Sequence, residues 1–204
     1  MIQFSGKNGL ILNGVEVDDR LLLRTAWMTM LCACTASMAI HALSGNARAI
    51  PFFISESDFP GLERMVFRGG LNATGLMLCC LALRLPHALD LSHNTRLRTI
   101  AQSSGMITGI STILLSWFSM HEHLVIHVIF ASITFVGAYV WSYSMHASNS
   151  HKRGTGHEKR RVWLAIGGLS YLVMNLALAQ SARRLVLEQG LTGGTEVMNL
   201  AQSS

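Results

Sequence analysis

Four stretches of this chain contain no Asp, Glu, Lys or Arg: Thr25 to Leu43, Thr99 to Met120, Leu124 to Met145 and Val162 to Ala182, which are 19, 22, 22 and 21 residues long. Their length constrains the fold more than any other feature. At about 1.5 Å of rise per residue, about 20 helical residues cross the ~30 Å hydrocarbon core of a bilayer. Lipid offers no hydrogen bonds, so each crossing segment must satisfy its own backbone, as a helix does. A shorter uncharged run, Gly69 to Leu83, lengthens to about 65–85 if Arg68 and Arg84 reach out to the interface. The expected fold is an all-α polytopic transmembrane bundle occupying 25–182. Its five spans fall at about 25–43, 65–85, 99–120, 124–145 and 162–182, with a structured loop between the first two. A polar segment, 1–24, precedes the bundle and a polar tail, 183–204, follows it.

Only 13% of the residues are charged, against roughly a quarter in an average soluble domain. That sets aside a soluble catalytic domain, a disordered chain and a nucleic-acid-binding module. Glu16, Asp18, Asp19, Arg20 and Arg24 precede the first span without an apolar h-region, so that span is expected to act as an uncleaved signal-anchor. The net charge of +5 is the sum of +2 between spans 2 and 3, −1 in the turn between spans 3 and 4 and +4 between spans 4 and 5, the other segments summing to zero. Positive loops stay on the cytosolic side, which puts the amino terminus there and the 44–68 loop, the turn at 121–123 and the tail on the other side. Trp27, Trp117, Trp141 and Trp163 each fall near a predicted span end, where tryptophan favours the headgroup layer. Cys32, Cys34, Cys79 and Cys80 all lie in apolar runs without zinc-site spacing and read as small buried thiols.

Helix 3 carries Gly105, Gly109, Thr112 and Ser116 at spacings that keep them on one face. This small-residue pattern lets helices approach closely, either within the bundle or against another membrane subunit. Asn72, Gln102, Asn175 and Gln180 are expected to bridge helices. Two constellations have chemical potential. His121, His123 and His127, with the last two four apart on a helix, supply candidate ligands for a metal, and His41, near the same luminal side, is a candidate ligand for haem or chlorophyll. The loop from Pro51 to Phe67 mixes aromatics with Glu56, Asp58, Glu63 and Arg64, and leads to Arg68. These residues are candidates for contact with lipid headgroups, Glu56, Asp58 and Glu63 equally for coordinating a cation or acting as an acid–base pair, and Ser57 and Asp58 are candidate helix caps.

The segments "IPFFISESDFP" and "ERMVFRGGLNATG" resemble the damage-regulated autophagy modulator (DRAM) family, which groups with the FGF-receptor-activating protein and yeast Sfk. The matching positions are Pro51, Ile54, Ser55, Glu56, Pro60, Glu63 and Phe67, with Asn72 in the second helix and His127, Phe135, Gly137 and Tyr139 in the fourth. The family's usual six spans would be five here. The resemblance implies a multispanning protein of endomembrane, lysosomal or plasma membrane, linked to autophagy or lipid organisation, with no established catalytic residues. The expected function is that of a non-enzymatic membrane protein with bound lipids, no other cofactor and membrane lipids as partners. Two alternatives stand beside it. One is an accessory subunit of a respiratory or photosynthetic complex in a mitochondrial inner or thylakoid membrane. The other is a metal-, haem- or pigment-binding membrane protein.

Overall fold

The structure, a computed structural model, describes residues 2–5, 9–12, 15–45, 54–88, 95–148 and 155–189. Five helices follow one another: α1 Asp19–Leu43, α2 Leu62–Ala88, α3 Thr95–Trp117, α4 Leu124–Ser148 and α5 Thr155–Gln189. α1, α2, α4 and α5 each contain an expected span, whereas α3 ends at Trp117, three residues short of the expected 99–120. A 3-10 turn, Ile54–Ser57, lies between α1 and α2. The polar amino-terminal segment holds an unexpected three-stranded antiparallel sheet, β1 Ile2–Ser5, β2 Gly9–Leu12 and β3 Val15–Val17, with Ile2 opposite Leu12 and Leu10 opposite Val17. The Asn13-Gly14 dipeptide between β2 and β3 is the sequence signal for such a hairpin.

α1 starts at Asp18, whose carboxylate accepts a hydrogen bond from the Arg20 amide at 3.3 Å. It ends where Gly45 takes a φ of 73°, a left-handed conformation that turns the chain out of the helix. Consecutive helices then run antiparallel. Near one end Arg84 of α2 meets Asp19 of α1, and near the other Glu63 meets His41. Gly75 and Gly109 pair α2 with α3, Gly105 and Trp141 pair α3 with α4, and Gly168 and Tyr139 pair α4 with α5. Ala26, Leu81, Ala82, Ala101 and Trp141 form the buried core. Trp27, Ile129, Tyr143 and Leu169 are among the large apolar side chains exposed on the outside. A surface of this kind suits lipid rather than water.

Three helical segments are long and apolar enough to cross a membrane: Asp19–Leu43, Leu62–Leu85 and Leu124–Ala147. The expectation of five is corrected to three among the described residues. The reason is that an uncharged run need not be apolar. In α3 the run includes Gln102, Ser104, Thr108, Ser111, Thr112 and Ser116. In α5, the side chains of Met174 and of 177–182 within the expected span lie outside the described residues. α3 still packs between α2 and α4, and its polarity is absorbed locally. The hydroxyls of Ser104, Thr108 and Thr112 donate to the carbonyls of Ile100, Ser104 and Thr108 at 2.6–2.8 Å. Back-bonded hydroxyls of this kind are satisfied without water.

Candidate functional site

At the end of the bundle away from Arg84, residues 54–61 lie over the helix ends as a cap. Its centre is Asp58, whose side chain has no exposed surface. Arg64 and Arg68 stand four apart on α2 and therefore on one face. Their Nε atoms lie 3.4 and 3.3 Å from Asp58 Oδ1. Arg64 also donates through Nε and Nη2 to the Asp58 carbonyl, and through Nη1 to Glu122 at 3.1 Å. The Ser119 hydroxyl donates to the same carbonyl at 3.3 Å. One loop residue thus ties α2 to the α3–α4 turn. Burial pushes the Asp58 carboxyl above its ordinary value, against the Arg68 and Arg64 guanidiniums and the Ser119 hydroxyl, which pull it down. Its Oδ2 atom is buried and has no hydrogen-bond partner among the described residues.

α1 joins this knot through Ser37 and His41. The buried Ser37 hydroxyl donates to the carbonyls of Ser57 at 3.2 Å and Glu63 at 2.9 Å. His41 Nδ1 stands 3.6 Å from Glu63 Oε1, with both side chains almost wholly buried. Phe59 packs between the rings of His41 and His121, at centroid distances of 5.7 and 5.5 Å. At the edge, Arg68 lies over the Trp117 ring at 5.8 Å. The Trp117 indole donates to Asn72 Oδ1 at 3.2 Å, and Asn72 Nδ2 donates to the Arg68 carbonyl at 2.8 Å.

The structure therefore brings Glu56, Asp58, Glu63, Arg64 and Arg68 together, with their polar groups turned inward. Glu56, Asp58 and Glu63 are buried, whereas a headgroup contact requires an exposed group. Each of the three histidines is engaged by its own protein contact. His121 Nε2 donates to the Glu56 carbonyl at 3.0 Å, the His123 ring meets Phe118 edge-on, and His127 Nδ1 donates to the Phe118 carbonyl at 2.7 Å. Among the described residues, no group of three or more His, Cys, Asp or Glu side chains is placed to hold a metal ion.

Gly105 lies against Ala82 and Trp141, and Gly109 against the Gly75 carbonyl and Cys79, so their face is covered by α2 and α4. Thr112 and Ser116 are buried on the same helix. Trp27, Trp117 and Trp163 are exposed, whereas Trp141 packs inside the bundle. Arg84 turns inward to Asp19 at 2.6 Å instead of reaching for the interface. Asn175 donates to the Tyr171 carbonyl within its own helix. Pro51, the Gln180 side chain and the tail from 190 lie outside the described residues.

Sequence reasoning missed Ser37 and Ser119. A signal existed for Ser37, which is polar in an apolar helix and four residues before His41, so the two share a face. Ser119 has no local signal, because its role depends on a residue 61 positions away. The chain matches no protein-family model, no curated protein and no solved structure.

Proposed function

We propose that this is a non-enzymatic, multispanning membrane protein that organises lipid at the bundle end covered by the cap. The inverted polarity of the cap carries this reading. Its acids and arginines neutralise one another beneath the surface, with Asp58 at 0% exposure. Several apolar side chains in and next to it face outward, with Ile54, Leu62 and Met65 at 51%, 60% and 71% exposure, and Trp117 at this end is 59% exposed. Exposed apolar residues at the same end as a tryptophan suit the boundary between headgroups and acyl chains. The acidic and basic residues then act as a latch that holds the apolar face in place, and the lipid contact falls to Ile54, Leu62 and Met65. The resemblance in the cap sequence supports a role in lipid organisation or autophagy, and an endomembrane, lysosomal or plasma-membrane location.

The test compares cells expressing the full chain with cells expressing Leu62→Asp/Met65→Asp, matched for membrane level. Lipid order and leaflet distribution are read with an environment-sensitive dye and a headgroup-specific probe. The wild-type chain is expected to shift one or both readouts, and the double variant to abolish the shift. Identical readouts for the two chains would remove the cap from the mechanism.

A further inference from the structure

At the opposite end of the bundle, α1, α4 and α5 enclose a groove of about 780 Å³. Trp27, Phe135, Tyr139, Trp163, Ile166 and Tyr171 supply its apolar walls. Two cationic or proton-binding side chains, His146 near the end of α4 and Arg160 near the start of α5, also line it. The His146 ring lies 4.4 Å from that of His157. Its Nδ1 is buried and has no hydrogen-bond partner among the described residues.

The polarity of the groove runs along its length. Phe135 and Tyr171, with centroids 6.0 Å apart, mark the apolar end, and His146 and Arg160 mark the polar end. Eleven helical residues separate Phe135 from His146, or roughly 16 Å along the helix axis. That is about half of the ~30 Å hydrocarbon core, the depth of one leaflet. A molecule that fills the groove therefore has an apolar tail of one-leaflet length and an anionic group beside a guanidinium and an imidazole. Arg160 is a suitable phosphate donor because its planar fork can form two parallel hydrogen bonds. Trp163 is largely exposed beside the groove, as expected for a side entrance from the bilayer.

We infer that the groove between α4 and α5 is a binding site for one anionic phospholipid, with its phosphate at Arg160 and His146 and an acyl chain running toward Phe135 and Tyr171. This inference rests on the chain being embedded in a membrane and is independent of the cap.

Two of the four tryptophans, Trp27 and Trp163, line the groove and report on its occupant. The full chain is reconstituted in phosphatidylcholine nanodiscs doped with brominated phosphatidylglycerol or, separately, brominated phosphatidylcholine at the same mole fraction. Bromine quenches tryptophan on contact. The glycerol lipid is expected to quench with about fivefold higher apparent affinity, the scale of one basic contact near a membrane surface. Arg160→Gln should abolish this preference and Arg160→Lys should retain part of it. Arg161→Gln removes the same charge from a neighbour outside the groove and should leave the preference intact. Trp27→Phe/Trp163→Phe should remove the preferential signal. Equal quenching by the two lipids, equal effects of the two glutamine variants, or a preference that survives without Trp27 and Trp163 would overturn the site. Each of those outcomes leaves the cap reading standing.

Discussion

Asp58 Oδ1 lies 3.3 Å from Arg68 Nε, an ion pair between a loop residue with no exposed side-chain surface and a helix residue ten positions later. The same oxygen faces Arg64, so one carboxylate balances two guanidiniums that are themselves mostly buried. Several of the apolar residues around it point outward.

Asp58→Ala leaves Arg64 and Arg68 without that carboxylate in a partly buried setting. Removing one partner of a buried pair typically costs about 3–5 kcal/mol, and the partial exposure of both arginines lowers the expectation to about 2–3 kcal/mol. Thermal unfolding in detergent should show the loss. An unchanged transition would mean that the pair does not hold the cap.

The raised Asp58 carboxyl gives a definite pH dependence. The folded protein binds this proton more tightly than the unfolded chain does. The Asp58 contribution to stability therefore rises as pH falls from above its folded value to the ordinary carboxylate value, and is constant below that. Relative to Asp58→Asn, the wild-type chain should gain stability across this window. A flat difference, or one of opposite slope, would contradict the burial argument.

Gly109 and Gly69 form a matched pair. A Cβ on Gly109 would lie 2.5 Å from Cys79 Sγ and 2.8 Å from the Gly75 carbonyl oxygen, whereas one on Gly69 meets nothing within 4 Å. Gly109→Ala must push α2 and α3 apart and should cost about 1–3 kcal/mol. Gly69→Ala should be neutral or stabilising by up to about 1 kcal/mol, since alanine is the better helix former. Similar unfolding temperatures for the two variants would refute the close approach.

Arg84 and Asp19, 2.6 Å apart and both largely buried, clamp the ends of α1 and α2. Either alanine substitution should cost about 3 kcal/mol, and the double variant should cost less than the sum by at least about 1 kcal/mol. Strict additivity in the double-mutant cycle would show that the two side chains do not interact.

Helix positions are legible in the sequence because hydrocarbon acts on a contiguous window of chain. A run such as Leu124 to Met145 must become a helix in lipid whatever its neighbours do, and α4 covers it. The absence of charge was an incomplete guide, however. It does not distinguish α4 from α3, whose serines and threonines bond to their own backbone and make the helix less apolar than its uncharged run suggests.

The candidate site was only half legible. Glu56, Asp58, Glu63, Arg64 and Arg68 stand out in sequence as a charged loop beside the membrane, but that pattern suggests exposed groups. Their inward orientation depends on Ser37, His41 and Ser119, which come from other elements. The sequence by itself determined which segments are helical and where the charges collect, because both properties belong to the local chain. Only the tertiary structure decided which charges are buried, which face of α3 is covered and where a basic groove opens. Those outcomes depend on contacts between residues tens of positions apart, and a local window contains only one side of each.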